Sequence, residues 1–185
     1  VSGSLDISDR VTEPVFRSAV VDDLPAIAEL ESSEFEPLAY PYFALRQLFD
    51  VHGSHWVVAD LGGVVCGYAL VAVGPARSAW LIGLAVAAHC RGRGLGRLLL
   101  DRAVAGCRAG AVDAVFITVR PSNAPAANLY KESGFTWAGY EDQYFGAGEP
   151  RELLVHWLAP TPDRWPPVDR WDPRWRKGGH APPGG

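Results

Sequence analysis

The run His89-Cys90-Arg91-Gly92-Arg93-Gly94-Leu95-Gly96-Arg97 joins an apolar strand-like segment, Trp80 to Val86, to an amphipathic helical pattern opening with Leu98-Leu99-Leu100. Glycines at 92, 94 and 96 carry no Cβ, so backbone N–H groups in this stretch can close on a bulky anion. The helix that follows turns its positive dipole end and its unpaired amides toward the same spot. Arg91, Arg93 and Arg97 add cationic donors suited to phosphate oxygens. The stretch reads as a pyrophosphate cradle. The plainer alternative, a glycine-rich turn with solvated arginines, leaves the interleaving of three arginines with three glycines unexplained.

Two nucleotide motifs are excluded by spacing. A dinucleotide fingerprint counted from Gly92 would need glycine where Arg97 stands, and a P-loop needs a Gly-Lys-Ser/Thr helix start that this region lacks.

The chain has 185 residues, a length that suggests one domain with room for a real core. Apolar residues make up 48% and charged residues 21%, an ordinary globular balance. A formal net charge of −4 argues against a bulk electrostatic grip on nucleic acid, though not against a local basic patch. Cys66, Cys90 and Cys107 are odd in number and widely spaced, which suggests neither a disulfide framework nor a metal site. The sequence opens without a basic-then-apolar leader, and no apolar run approaches the ~20 residues of a membrane span, so a cytoplasmic protein is expected.

Periodicity and turn signals predict the order β-α-α-β-β-β-α-β-α-β-β. A short strand at Val15–Ala19 precedes a helix capped by Asp22 or Asp23, and Phe43, Leu45, Leu48 and Phe49 mark a second helix. Strands follow at His55–Asp60 and Val64–Val73, joined by Leu61-Gly62-Gly63, and then at Trp80–Val86 before the cradle and its helix to about Ala109. Ala114–Arg120 is nearly all apolar, as a central buried strand should be. Asn123–Ser133 reads as a helix ended by Gly134, and two last strands lie around Thr136–Tyr144 and Glu152–Leu158. This order predicts an α/β fold, a mixed sheet with helices on both faces. The expected domain spans 14–159, between a flexible lead-in at 1–13 and an extension at 160–185 rich in proline and tryptophan. Such proline density forbids an ordinary helix there, while Trp165, Trp171 and Trp175 are expected to dock on the domain or on a second copy, making a homodimer.

The spacing Arg91-x-x-Gly94-x-Gly96 resembles the acyl-CoA signature of the GNAT superfamily of N-acyltransferases. The likeness extends upstream to Leu84-Ala85-Val86 and downstream to Val119-Arg120-Pro121-Ser122-Asn123, Ala126, Leu129-Tyr130 and Gly134-Phe135. Within that superfamily, Asn123-x-x-Ala126-x-x-Leu129-Tyr130 is most similar to the ribosomal-protein alanine N-acetyltransferase type. The resemblance implies a splayed central sheet and acetyl-CoA as acyl donor. It also implies a pantetheine arm paired with backbone at Leu84, Ala85 and Val86, and a diphosphate on the amides of Arg91, Gly92, Arg93, Gly94, Leu95, Gly96 and Arg97. Tyr130 stands at the family's general-acid position and also beside the cofactor, and Asn123 either holds the cofactor or caps its helix.

The same type carries a glutamate where this sequence has Thr118, which cannot act as a base near neutral pH. Glu31, Glu34, Glu36, Glu141, Glu149 and Glu152 are candidate substitutes that sequence does not rank. At pH 7 a lysine amine is neutral about once in 2,500 molecules, a penalty near ~4.6 kcal/mol; an α-amine of pKa about 7.7–8.0 is neutral about once in ten. The expected acceptor is therefore a peptide or protein α-amine. It would enter between the first two helices and the last hairpin, with Tyr40, Tyr42 and Tyr144 as its walls. Rival readings are an acetyltransferase for a small amine, a non-catalytic CoA-binding module, and a donor other than acetyl-CoA.

Overall fold

A computed structural model describes residues 13–160. The expected lead-in and extension, with their tryptophans, lie almost wholly outside the described residues.

The strands β1 (Val15–Ser18), β2 (Val57–Leu61), β3 (Val64–Val73), β4 (Ser78–Val86), β5 (Ala114–Val119), β6 (Thr136–Glu141) and β7 (Arg151–Trp157) form one sheet, in the spatial order β1-β2-β3-β4-β5-β7-β6. The helices are α1 (Leu24–Phe35), α2 (Tyr42–His52), α3 (Leu95–Ala109) and α4 (Ala124–Glu132). The predicted element order holds throughout. All strand pairs are antiparallel except β4 with β5.

The parallel pair is the feature that shapes the molecule. It runs for three residue pairs only, Ser78–Ala114, Ala79–Val115 and Trp80–Phe116, and then the strands part. From Leu81 to Val86, β4 keeps its partner β3 on one side and has none on the other. β5 meanwhile continues to Val119 on β7. The register between β3 and β4 slips at Ile82, a bulge that increases the local twist and turns β4 away from β5.

The two faces of the sheet are filled by different helices. On one, the α3 stripe Leu95, Leu99, Leu100, Ala103 and Cys107 packs with Ala127 and Tyr130 of α4 against Val115, Ile117 and Val119. That stripe has the three-and-four spacing of an amphipathic helix. On the other, Leu24 and Ile27 of α1 and Leu45 of α2 cover Val58, Tyr68, Leu70 and Ala85. β5 is apolar on both faces because Ala114 and Phe116 form a third cluster with Leu153 and Val155.

Three local expectations are corrected. Asp23 is the N-cap residue of α1, but its side chain makes no cap bond to the helix. Its carboxylate accepts the Val20 amide at 2.8 Å, closing a 3₁₀ turn at Val21–Asp23, and two further bonds from Arg17 at 2.7 and 2.8 Å. Arg17 also reaches Asp60 at 2.9 Å, so this ion cluster ties β1 to β2. His55 and Trp56 precede the strand predicted for them, because α2 unwinds through a 3₁₀ turn at Gly53–His55 and Trp56 sinks its indole into the core, donating to Val71 O at 3.1 Å. β6 stops at Glu141, so Asp142, Gln143 and Tyr144 belong to the turn toward β7.

Gly134 ends α4 as expected, with φ of +88°, a region in which other residues are strained. A Cβ there would also lie 2.8 Å from the His156 ring, whose Nδ1 bonds Ser133 O at 2.9 Å. Gly134→Ala is therefore expected to destabilise the fold by about 2–4 kcal/mol, combining backbone strain with a displaced ring, as measured by the shift in denaturation midpoint. A midpoint equal to that of the parent chain would refute this reading of the helix end.

Candidate active site

The cradle follows directly from the splayed end of β4. β4 ends at Val86, and after a single 3₁₀ turn at Ala88–Cys90 the chain enters the cradle. Gly92 and Gly94 adopt φ of +77° and +75°, and a Cβ on either would meet nothing within 4 Å. Gly94 is the N-cap of α3, and the first helical amide to find a backbone acceptor is that of Leu98, on Gly94 O at 3.2 Å. The amides of Leu95, Gly96 and Arg97 belong to the opening turn, which by geometry has no acceptors of its own. The glycines thus leave an open concavity floored by backbone N–H groups. Its shape and chemistry fit a diphosphate.

The three arginines are not equivalent. Arg91 donates from Nε to Val86 O at 3.1 Å and pairs with the Glu34 carboxylate, lacing the end of β4 to α1. Arg97 lies along its own helix toward Asp101 at 3.4 Å and reaches Glu132 O on α4 at 3.3 Å. Arg93 is exposed and makes no ion pair among the described residues.

Tyr130 sits on the inner face of α4, 6% exposed, with its ring 5.8 Å from that of Phe135. No acceptor among the described residues takes its hydroxyl proton, yet no buried polar side-chain atom among them is left wholly enclosed and unpartnered. The residual exposure therefore includes the hydroxyl. Burial pushes the phenol well above its ordinary value. Asn123 caps the same helix, its Oδ1 accepting the Ala126 amide at 3.2 Å, the second of its two expected roles.

On the opposite face of the sheet lies a buried carboxylate that the sequence did not single out. Glu31 follows Leu24 and Ile27 on the inward stripe of α1 and is 2% exposed. One of its oxygens accepts the Tyr68 hydroxyl and the other the Tyr40 amide, at 3.0 Å. A Cβ built on Gly83 would come within 3.2 Å of Oε1, so the carboxylate rests directly over β4 just past the bulge. Burial raises Glu31 above the usual carboxylate range, while the bonds from Tyr68 and Tyr40 pull it back down. The spacing of Leu24, Ile27 and Glu31 was the available signal: it puts an acid on an apolar stripe.

Three of the remaining acids are otherwise engaged, while Glu141 and Glu152 are half-buried on β6 and β7, Glu152 across from Val119. Glu34 holds Arg91, Glu36 accepts from Ser32 at 2.6 Å, and Glu149 accepts from Arg120 at 2.7 Å and Arg151 at 3.0 Å. Those two guanidiniums hold Glu149 below the ordinary carboxylate range, the wrong direction for a base. Their effect is to brace the turn between β6 and β7, where Arg151 also stacks 4.6 Å over the Phe145 ring. Thr118 pairs with Leu153 across β5 and β7, half-buried on the sheet face away from α3 and α4.

Of the expected wall residues, Tyr40 and Tyr144 are half-buried, on the α1–α2 connection and the β6–β7 turn. Tyr42 is 49% exposed at the first residue of α2. Among the described residues no cluster of three or more metal-binding side chains occurs, and no helix is long and apolar enough to cross a membrane.

Residues 22–135 match the Acetyltransferase (GNAT) family. An N-alpha-acetyltransferase RimI of Mycobacterium tuberculosis is 33% identical over 141 residues, covering 72% of this chain and 86% of the relative. An N-alpha-acetyltransferase of Sulfolobus acidocaldarius is 27% identical over 160 residues, covering 80% and 95% respectively. The crystal structure of the ribosomal-protein-S18-alanine N-acetyltransferase from Escherichia coli superposes with a TM-score of 0.69 at 22% identity, covering 82% of this chain and 97% of that one.

Proposed function

Since the chain belongs to the GNAT acetyltransferase family and is an N-acetyltransferase with acetyl-CoA as its acyl donor, we propose that its acceptor is the α-amine of a peptide or protein N-terminus. The observation that carries this is the make-up of the gap. β5 brings Thr118 to it, so no carboxylate stands at that strand position to strip a lysine ammonium. The two relatives named N-alpha-acetyltransferases, each matched over most of its length, support the same reading. A cytoplasmic location, where acetyl-CoA is at hand, belongs to the same proposal.

The roles divide as follows. Backbone at Leu84, Ala85 and Val86, on the free edge of β4, pairs with the pantetheine arm as an added strand would. Amides from Arg91 to Arg97 hold the diphosphate, with Arg93 as the cation free to turn toward it, while Arg91 and Arg97 shape the loop and add charge. Backbone N–H at the end of β4 polarises the thioester carbonyl. Tyr130 gives its proton to the departing sulfur. Tyr40 and Tyr144 line the acceptor entrance, with Tyr42 at its rim.

An acceptor screen that follows release of the CoA thiol tests the assignment. At pH 7 peptides with a free α-amine should outpace the same peptides N-terminally blocked but carrying a lysine by at least ~100-fold, since the neutral fractions alone differ by roughly 230–420-fold. Faster acetylation of free lysine, a polyamine or an amino sugar would replace the peptide with a small-molecule acceptor. Tight acetyl-CoA binding with no thiol release from any amine would point to a non-catalytic binding module.

A further inference from the structure

Building on the α-amine reading, we propose that Glu31 is the base of this site, accepting the proton of the incoming ammonium group. Its place comes first. The carboxylate lies over Gly83, on the stretch of β4 that has already parted from β5, and on the same side of the sheet as Tyr40. Gly83 is what makes the seat: any side chain there would occupy the space that the carboxylate now fills, since its Cβ alone would press to 3.2 Å.

Its charge comes second. Glu31 is enclosed, yet no arginine, lysine or histidine pairs with it among the described residues; its partners are a phenol and a backbone amide. A buried carboxylate without a counter-ion is costly, and a cation arriving from outside relieves that cost. The groups facing it are Tyr68 from β3 and Tyr40 from the α1–α2 connection, with Tyr144 beyond Tyr40. Glu34, one turn along α1, adds negative charge near Tyr68 but is itself held by Arg91. Burial raises the carboxylate, which brings its proton affinity closer to that of an α-amine of pKa about 8 than to that of a lysine near 10.4.

The protons balance. The ammonium N–H bond breaks and its proton goes to a Glu31 oxygen. The freed nitrogen lone pair bonds to the thioester carbon, and the C–S electron pair leaves with sulfur. Sulfur takes the Tyr130 proton, while the nitrogen, now carrying one hydrogen too many, loses it to water and so back to the phenolate. Glu31 releases its proton to solvent, the one proton the overall reaction sets free.

The test is the pH profile of kcat/KM for acetylation of a short alanine-terminated peptide, measured for the parent chain, Glu31→Gln and Tyr68→Phe, with acetyl-CoA affinity followed by calorimetry. Glu31→Gln should lose about 100–1,000-fold at pH 7 and recover steeply above about pH 8, where the amine arrives already neutral. Tyr68→Phe removes a bond that favours the charged carboxylate, so its acid limb should move to higher pH. Acetyl-CoA affinity should stay that of the parent in both. Parent-like activity in Glu31→Gln at pH 7, or a loss that is flat across the profile, overturns the proposal; so does an unmoved acid limb in Tyr68→Phe, which keeps the question decidable should Glu31→Gln not fold. Failure of the parent chain to acetylate any α-amine would instead remove the acceptor assignment, and this role with it.

Discussion

Gly94→Ala is expected to weaken acetyl-CoA binding by about 100-fold or more while lowering the melting temperature by only a few degrees. Gly94 is the N-cap of α3 at φ +75°, and an added methyl would meet no protein atom within 4 Å. The substitution therefore costs the fold only its left-handed strain, about 1–2 kcal/mol, or roughly 2–8 °C in a domain of this size. The methyl instead occupies the space above the amide floor. Charge-assisted bonds from backbone N–H to phosphate contribute about 1.5–3 kcal/mol each, so losing two costs ~3–6 kcal/mol, which is the origin of the expected loss. Gly63→Ala is the matched control. Gly63 has φ of +92° in the β2–β3 turn, also with nothing within 4 Å of a Cβ, so it carries the same kind of strain without the cradle. Calorimetric titration with acetyl-CoA should separate the two variants clearly. Equal affinities would mean that the diphosphate lies elsewhere.

Tyr130→Phe is expected to reduce kcat by about 100–10,000-fold, the range typical of a removed general acid, with KM for acetyl-CoA and the unfolding midpoint nearly unchanged. The fold should tolerate it because the hydroxyl makes no bond to any described residue and the ring contact with Phe135 survives. By the free phenol value alone, near 10, proton transfer to an alkyl thiolate near 8.5 is only mildly uphill. Burial changes both sides of that comparison. It pushes Tyr130 well up, and a thiolate formed in the same dry pocket becomes a stronger base for the same reason. The match is kept, and the phenol stays protonated throughout any practical assay range, so Tyr130 should contribute no alkaline limb to the profile. Steady-state kinetics from neutral to moderately alkaline pH check both points. A kcat within a few-fold of the parent would assign the proton to another donor.

The cradle was legible before any fold was known because it is local chemistry. Glycines and arginines alternate over seven residues, Arg91 to Arg97, and the backbone geometry that follows needs no distant partner. The same holds for α4, where Asn123 caps, Gly134 terminates, and Tyr130 falls on the stripe between them. Strand order was likewise readable from alternation and turn residues, with errors confined to ends such as His55 and Tyr144, where a neighbouring 3₁₀ turn or a hairpin turn takes over the residues.

The ranking of the acids was not legible, since each appears in the sequence as just another glutamate. Glu149 is removed from contention by Arg120 and Arg151, the first of which approaches from 29 positions away. Glu31 is singled out by Tyr68, 37 positions along the chain, and by Gly83, on a strand that the sequence separates still further. A carboxylate's affinity for a proton depends on what surrounds it within a few ångströms, and only the folded chain assembles those surroundings. Residue identity and short-range spacing thus decided where a phosphate can sit and which helix carries the phenol. Long-range packing decided which acid is buried and how far β4 and β5 part, because both depend on residues far apart in the chain.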